Sequence, residues 1–408
     1  MKKALFILDH FPPSFAPRMG YLVKYLKPLG WEAKVFSSPH PSKINKFDGL
    51  VGYAYSEEVT MPEYCKVHSL NRLLVEALGF FSGGFCWSMQ DEKMYKYVTE
   101  NLGDEHFDIV VCSTASFFPI NCALKMAKRM DIPLLLDFRD IYEQDPYMYS
   151  TKGVAAILRR FQIMKRNSII CKATAVTTIS EWHREYLSKF NKNIFLIYNG
   201  FDSDLFYPRS LEKTDKFTIT YTGSVAPTNC EGSRNIDFLF KALALLAKEK
   251  AMTPETFSLN FYTDDSSIKY LIRVAEKYDI KEYISVNEWL PFEKIPKILL
   301  ESNILLVLLA EKNTNGIMTT KLYEYLAMNR EILCIPNIES PVCEFIRKAN
   351  SGNCFDNVDD IVEYLKQKYE EWKKTGIVRC EANFEYVQQF SRKRQAEQFV
   401  GVFNNSIK

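Results

Sequence analysis

The sequence predicts an α/β protein made of two doubly wound, Rossmann-like domains. The chain has 408 residues, more than a single hydrophobic core usually holds. Short apolar runs rich in β-branched residues alternate with longer segments of helical period, a pattern typical of parallel strands covered by helices on both faces. These runs form two series separated by a polar, turn-rich stretch at 199–215. We therefore predict two parallel sheets.

The predicted strands follow from short apolar runs bounded by turn residues. The first series is 4–8, 33–36, 109–112, 133–136, 175–179 and 194–198. The second series is 217–222, 257–262, 283–286, 304–309, 331–335 and 352–355. A last helix at about 384–404 has apolar anchors and could pack on either domain.

Charge and hydropathy exclude several function classes. The net charge is +2, from 52 basic and 50 acidic residues, which argues against nucleic-acid binding. The longest apolar stretch, 304–310, is far shorter than the roughly 20 residues of a spanning helix. The first residues are interpreted as a strand and not as a signal peptide.

The ten cysteines form no CxxC pair and accompany no histidine cluster. Most, such as Cys112 and Cys334, lie inside apolar runs, where a thiol behaves as a small hydrophobic group. We predict buried free thiols, neither disulfides nor metal ligands, and hence a reducing, cytoplasmic compartment.

The segment TTKLYEYLA at 319–327 is the sharpest signal for a ligand. Thr319 or Thr320 can cap a helix there, and Lys321 then falls in the first turn, where a cation opposes the helix dipole. Glu324 shares that helix face. Either this is a solvated pair, or an anion, usually phosphate, lies at the helix end.

A second cation stands before another helix of the same domain. Gly223 and Ser224 open the loop after strand 217–222, and Arg234 precedes the helix that begins near Ile236. A lone loop arginine is usually a surface residue. Two cations at two helix starts, however, favour a diphosphate, because guanidinium engages phosphate oxygens in pairs.

The N-terminal domain has polar residues at two strand ends. The run DFRD at 137–140 follows strand 133–136, and Asp9 and His10 follow strand 4–8, with Arg18 at the next helix start. Ion pairs alone could explain DFRD. Ligands of open α/β sheets, however, bind at the carboxyl ends of strands.

Two segments suggest a surface. Residues 152–166 are basic and amphipathic, and residues 77–87 are aromatic. The segments are interpreted either as a partly buried helix and a covered loop, or as a patch that rests on an anionic membrane.

Together these residues resemble the nucleotide-sugar glycosyltransferases of the GT-B fold, family four, over nearly the whole chain. The resemblance rests on FPPSFAPRMGYLVKYLKPLGWEAKVFSS, DFRD, ATAVTTISEWHREYL, IFLIYNGFDSDLFYP, YTGS, RNIDFLFKALALL, KLYEYLAMNREILCIP and FEYVQQFSRKRQAEQF. It implies an acceptor-binding domain at 1–205, a donor-binding domain at 206–383 facing it across a cleft, and a helix at 384–408 that returns to the first domain.

The resemblance also implies roles for residues. The donor diphosphate would be held by Arg234 and Lys321, which with Asp140 are the predicted catalytic residues. Glu324 would bind the ribose, Gly223 and Ser224 would let the backbone approach the donor, and Asn287, Trp289 and Leu290 would lie beside the base. The acceptor cleft would be lined by His10, Phe15, Arg18, Asp137 and Arg139. The family's first glutamate, which seven residues separate from the second, is replaced here by Gly316.

The expected reaction passes a sugar from a nucleoside diphosphate sugar to an acceptor hydroxyl, with retention and without metal or cofactor. The acceptor would be a sugar or lipid-linked molecule in surface polysaccharide or glycolipid synthesis, made at the inner face of the membrane. The alternatives are a nucleotide-sugar epimerase of the same fold and a catalytically idle nucleotide-sugar binding protein, since fold alone does not fix function.

Overall fold

The computed structural model describes residues 1–12, 17–37, 59–60, 86–114, 117–144, 154–225, 234, 236–310 and 316–407. The chain divides into two compact units. Unit 1 contains Met1–Asn199 and Arg392–Lys408, and unit 2 contains Gly200–Ser391. The borders thus fall at 199/200 and 391/392, where the sequence had suggested 205/206 and 383/384.

Unit 1 is built on a seven-stranded parallel sheet of order β3-β2-β1-β4-β5-β6-β7. The strands are β1 (Lys2–Leu8), β2 (Trp31–Ser37), β3 (Val59–Thr60), β4 (Ile109–Thr114), β5 (Leu134–Phe138), β6 (Ala175–Thr178) and β7 (Ile194–Leu196). The helices are α1 (Arg18–Leu26), α2 (Cys86–Asn101), α3 (Ile120–Met130), α4 (Val154–Ile170) and α5 (Glu181–Leu187).

The inner strand β1 shows why this sheet is covered on both faces. Side chains alternate across a strand, and Leu5 and Ile7 pack into one core whereas Phe6 and Leu8 pack into another. All four are fully buried. An uninterrupted apolar run therefore forms a strand between two helical layers, as the sequence predicts.

Unit 2 is built on a six-stranded parallel sheet of order β10-β9-β8-β11-β12-β13. The strands are β8 (Phe217–Thr222), β9 (Phe257–Thr263), β10 (Ile284–Glu288), β11 (Ile304–Leu308), β12 (Glu331–Ile335) and β13 (Gly352–Cys354). The helices are α6 (Asp237–Lys248), α7 (Asp265–Lys277), α8 (Ile295–Leu300), α9 (Thr320–Ala327), α10 (Pro341–Lys348), α11 (Val358–Thr375) and α12 (Phe384–Gln388).

The end of the chain differs from the single helix expected at 384–404. It forms α12 in unit 2 and a separate helix α13 (Arg392–Ser406) in unit 1. The two helices bury their apolar residues in different cores: Phe390, just after α12, packs on Tyr323 and Phe345, whereas Phe403 of α13 packs on Trp31. The fold class is confirmed, including a final helix that returns to the first unit.

Candidate functional site

Gly223 follows β8, and the ammonium of Lys321 lies directly against it. A Cβ atom at Gly223 would lie 1.9 Å from Lys321 Nζ, and the φ angle of Gly223 is +137°. Both the backbone and the ammonium therefore require glycine here. Lys321 Nζ also lies 4.2 Å from the centre of the Tyr221 ring, a cation–π contact.

Arg234 contacts the same loop at Ser224. Its Nη1 donates a 2.6 Å hydrogen bond to the carbonyl oxygen of Ser224, which also accepts a 2.8 Å bond from the Tyr221 hydroxyl. A backbone bridge to Ala310, just after β11, fixes Arg234. The structure thus brings together Gly223, Ser224, Arg234 and Lys321, which the sequence proposed from separate motifs.

The loop after β8 is anchored by the start of α7. The Ser267 hydroxyl accepts from the Val225 N–H and donates to the Val225 carbonyl, both at 2.9 Å. Asp264 caps α7 by accepting from the Ser267 N–H at 3.0 Å. Burial acts to raise the pKa of Asp264, but bonds from serines, including Ser224, lower it overall. These bonds therefore fix the first residues of the loop, Ser224 and Val225.

Helix α9 presents its N-terminus at the carboxyl edge of the sheet. Thr319 is the N-cap residue, and its side chain makes no capping hydrogen bond. Deeper in the helix, the buried Tyr325 hydroxyl accepts a 3.0 Å bond from the Thr222 N–H, which ties α9 to the end of β8. The free N–H groups of a first turn carry positive partial charge, so this end suits an anion.

The remaining donor-side residues lie on the same edge of the sheet. In the register of the sheet, Asn287 of β10 pairs with Tyr262 of β9, and Tyr262 pairs with Thr222 of β8. Asn287 therefore lies two strand spacings, roughly 10 Å, from β8. The half-buried Trp289 and Leu290 follow β10. Glu324 is half-buried one turn after Lys321 on α9. These positions fit a nucleotide lying along the edge.

Gly316 occupies the position where the resemblance expects a glutamate. Its φ angle is +78°, in the left-handed region that glycine favours, and the residue is buried. A glutamate with this backbone conformation would be strained.

Arg18 and Asp137 form a buried ion pair in unit 1. Arg18 donates to Asp137 at 3.0 and 3.1 Å and to the carbonyl oxygen of Ile197 at 2.8 Å. Asp137 also accepts bonds from Ser113 and Thr177, and it is fully buried. Arg18 is 3% exposed. The pair thus joins α1 to the end of β5 inside unit 1, and the acceptor contact expected from the sequence stays a prediction.

Arg139 and Asp9 form a second pair, across the carboxyl ends of β1 and β5. Arg139 Nη2 donates to both Asp9 carboxylate oxygens at 2.7 Å. Half-buried His10 follows Asp9 in the chain. The sequence analysis offered ion pairing as the simple explanation of DFRD. Arg139 of that run is indeed paired, with Asp9, and the pair lies at the carboxyl edge of the sheet. Phe15 lies outside the described residues.

Asp140 belongs to a polar network that sequence reasoning missed. Gln144 donates a 2.7 Å bond to Asp140 and accepts from the His183 ring. Burial raises the pKa of Asp140 and lowers that of His183 to about 4. Beside it, Arg166 and Glu143 form a pair with bonds of 2.6 and 2.9 Å. The four-residue spacing of Asp140 and Gln144 was the feature of the sequence that could have indicated this contact.

The comparison with known protein families agrees with the resemblance stated in the sequence analysis. Residues 18–205, slightly under half of the chain, match the model of Glycosyltransferase Family 4. No curated protein matches the sequence significantly.

Solved structures match over the whole length. HepE of Anabaena, solved with UDP and glucose, has a TM-score of 0.67 and 13% identity over 99% of this chain and 100% of that one. A glycosyltransferase from Rickettsia africae has 0.66 and 15%, covering 100% and 99%. Sucrose-phosphate synthase from Thermosynechococcus elongatus has 0.64 and 13%, covering 99% of both. The GT-B fold and the family resemblance are confirmed.

Proposed function

We propose that the chain is a glycosyltransferase that moves a sugar from a nucleoside diphosphate sugar to an acceptor hydroxyl. One observation carries the proposal: two cations from distant parts of unit 2, Lys321 and Arg234, converge on the loop at Gly223 beside the N-terminus of α9. This arrangement supplies positive charge from two side chains and a helix dipole at one sheet edge. A departing diphosphate is the group that this positive charge would stabilise.

The chemistry follows from that charge. As the bond from the sugar to the diphosphate breaks, negative charge grows on the diphosphate oxygens. Preorganised cations stabilise that charge most when they need not move during the reaction. Lys321 rests on the Tyr221 ring and Arg234 is fixed by Ser224 and by the bridge to Ala310. We propose that they do here what a metal ion does in other transferases.

The finer features of the proposal rest on the comparisons. A UDP-sugar is the donor class to test first, because HepE was solved with UDP and with UDP-glucose. Retention at the sugar carbon, and a place in surface polysaccharide or glycolipid synthesis, rest on the family resemblance. In unit 1, His10, Arg139 and Asp140 remain the proposed acceptor-side group. The raised pKa of Asp140 suits a carboxylate that receives a proton.

The proposal is tested with a panel of nucleotide-sugars, each incubated with and without candidate sugar or lipid-linked acceptors. We expect release of free nucleoside diphosphate from one donor, faster with the right acceptor, and a glycosylated product whose anomeric configuration NMR reports. Formation of an epimer without diphosphate release would establish the epimerase instead. Tight donor binding without turnover would establish an idle binding protein.

Glu324→Ala provides a separate test of the donor orientation. A ribose contact exists in both the ground state and the transition state, so its loss weakens binding more than it slows the chemistry. We expect KM for the donor to rise more than kcat falls. Glu293→Ala, at a glutamate in a short helical turn of the same unit, is the control. A fall in kcat alone would contradict the ribose assignment.

We also propose that α4 rests on an anionic membrane. Ile157, Phe161 and Met164 are 53%, 38% and 64% exposed and recur at the spacing of one helix face, with the exposed Arg160 among them. The helix has no acidic residue. Among the described residues, no helix is both long and apolar enough to cross a membrane. An apolar stripe with cations suits the interface of an anionic bilayer.

Not every basic residue of α4 is available for this contact. Arg166 is buried in its pair with Glu143, and Arg159 lies 4.5 Å from the Tyr142 ring. Residues 152–153 and 77–85 lie outside the described residues, and so do the side chains of Cys86 and Trp87. The test therefore concentrates on the exposed face of α4.

Sedimentation with liposomes of phosphatidylserine and phosphatidylcholine tests the contact. We expect the parent protein to pellet at low salt, and Phe161→Ser with Met164→Ser, or Arg160→Glu, to remain in the supernatant. Leu245→Ser, at a similarly exposed apolar residue of unit 2, should still pellet. A parent protein that does not pellet at low salt ends this proposal.

A further inference from the structure

Three cysteines that are distant in sequence meet at one end of the unit 2 sheet. Cys334 is the penultimate residue of β12, Cys354 is the last residue of β13, and Cys343 lies in the first turn of α10. Their sulfur atoms all lie within 4.8 Å of one another. Three separate elements thus direct one thiol each toward a common point.

We propose that Cys334, Cys343 and Cys354 form a binding site for a thiophilic d¹⁰ metal ion, Zn²⁺ or Cu⁺. Such ions prefer soft sulfur ligands. This proposal is independent of the glycosyltransferase assignment.

The sulfur separations fit a shared metal ion. Cys334 Sγ and Cys343 Sγ are 4.0 Å apart. Two sulfurs at the usual zinc–sulfur distance of about 2.3 Å are separated by roughly 3.8 Å in a tetrahedral site and by about 4.0 Å in a trigonal one. A disulfide bond, at about 2.05 Å, requires a much shorter separation. An ion fits without a large change of the backbone.

The surroundings offer an entry path and a fourth ligand. Cys334 and Cys343 are buried, whereas Cys354 is only half-buried, so solvent reaches one side of the cluster. The carbonyl oxygen of Pro336 lies 3.9 Å from Cys343 Sγ. Either this oxygen or a water molecule can complete a tetrahedral zinc site, and a three-sulfur site suits Cu⁺ without it.

The local charge also fits the complex. Three thiolates around Zn²⁺ carry one net negative charge. Cys343 lies at the positive end of α10, where its own N–H is held by the Ser340 cap at 3.3 Å. The Arg347 cation acts on Cys354 from the same helix. Both offset the negative charge.

Binding is an exchange of protons for metal. Three S–H bonds break, three sulfur–metal bonds form, and three protons pass to the solvent, with no change of oxidation state. Titration of the reduced apoprotein with Zn²⁺ in weak buffer should therefore acidify the solution. The filled site would join the ends of β12 and β13 to the start of α10.

The experiment uses the full chain, reduced and stripped of metal, without any nucleotide-sugar. Native mass spectrometry after addition of Zn²⁺, or of Cu⁺ without oxygen, should show one ion per chain and tell the two ions apart by affinity. Co²⁺ should give sulfur-to-metal charge-transfer absorption. Bound metal should also raise Tm, because it binds the folded chain.

Cys343→Ala and Cys354→Ala should each weaken binding by more than the roughly 10- to 100-fold that loss of an outer-shell partner costs. Cys380→Ala is the matched control, since that half-buried thiol of unit 2 contacts the Ser351 carbonyl instead. The apoprotein Tm of each variant shows whether it folds.

Three outcomes would overturn the proposal. These are no binding by the parent protein, equal binding by the parent and both cluster variants, and conversion of Cys334 and Cys343 to a disulfide in air without any metal affinity.

Discussion

Arg18 and the pair Lys321–Arg234 carry the same signal in the sequence and behave differently in the structure. Each cation stands near a helix start that follows a strand. Arg18 is 3% exposed and its donors are taken by Asp137 and by backbone oxygens. Lys321 and Arg234 are half-buried and converge on a glycine loop, a tyrosine ring and a carbonyl oxygen. The same sequence signal therefore leads to a buried ion pair in unit 1 and to two half-buried cations at one loop in unit 2.

The largest expected effect is on the stability of unit 1. Arg18→Ala leaves the Asp137 carboxylate buried without its partner, which costs about 3–5 kcal/mol of unfolding free energy. Urea denaturation measures the loss. Arg184→Ala, at an exposed pair with Glu181, should cost at most about 1 kcal/mol. If Arg18→Ala proved as stable as the parent yet inactive, the two classes of cation would no longer be distinct.

The opposite result is expected for the donor-side cations. Lys321→Ala and Arg234→Ala should lower kcat about 100- to 1000-fold, roughly 3–4 kcal/mol, because each removes a preorganised charge from the transition state. Stability should change by no more than about 1 kcal/mol. Steady-state kinetics and urea denaturation provide both numbers. Lys297→Ala, at an exposed lysine of unit 2, is the control. An unaltered kcat in both variants would contradict the proposal that Lys321 and Arg234 form the donor site.

The pH dependence of stability should report His183, a buried member of the unit 1 network whose Nε2 is bonded to Gln144. Burial lowers its pKa to about 4 from an ordinary 6.5. The unfolded chain therefore takes up the proton first as the pH falls, so stability is complete above about pH 6.5 and declines toward pH 4, by up to about 3 kcal/mol. His183→Gln should lack this decline.

Asp91 has the opposite effect on the pH dependence of stability, so it is replaced in the proteins that are compared. Burial raises its pKa to about 7, against the bonds it accepts from backbone N–H groups, so its contribution is lost as the pH rises from about 4 to 7. Both proteins are therefore compared in an Asp91→Asn background by denaturation between pH 4 and 7. Parallel curves would show that His183 titrates normally.

The smallest effect tests the contact between Gly223 and Lys321. Gly223→Ala places a Cβ where Lys321 Nζ lies, at a φ angle that costs about 1–3 kcal/mol for other residues. It should lower kcat in the parent but have little further effect on kcat in a Lys321→Ala background, since the displaced group is then absent. Gly401→Ala, where the added Cβ meets open space, is the control. Additive effects on kcat would contradict the contact.

Much of the fold was predictable because strands such as β1, β4, β11 and β12 are buried along almost their whole length. All twelve predicted strands are present within two residues of their expected ends. Among the residues that the structure describes, only β3 (Val59–Thr60) was missed, since two residues carry no periodicity. The sequence suggested one terminal helix and not two, because Phe390 and Phe399 could each anchor a single helix, although they pack in different units.

The site was predictable only as separate residues. Each of Gly223, Arg234 and Lys321 was identified from its own loop or helix. The close packing of Lys321 against Gly223, however, joins residues 98 positions apart and depends on the strand order β8-β11. Sequence alone does not show that Arg18 is buried in a pair with Asp137. It also missed the cysteine cluster, because 334, 343 and 354 follow no metal-binding spacing.

The most direct test is the affinity for a nucleoside diphosphate compared with that for its nucleoside, which for a UDP-sugar means UDP against uridine. Isothermal titration calorimetry of the parent, Lys321→Ala and Arg234→Ala provides both constants. We expect the parent to bind UDP about 100-fold more tightly or better, and each variant to lose about tenfold or more for UDP alone, since one hydrogen bond to a charged group contributes about 1.5–3 kcal/mol. An unchanged ratio of UDP to uridine affinity in both variants would contradict the claim that these two cations hold the diphosphate.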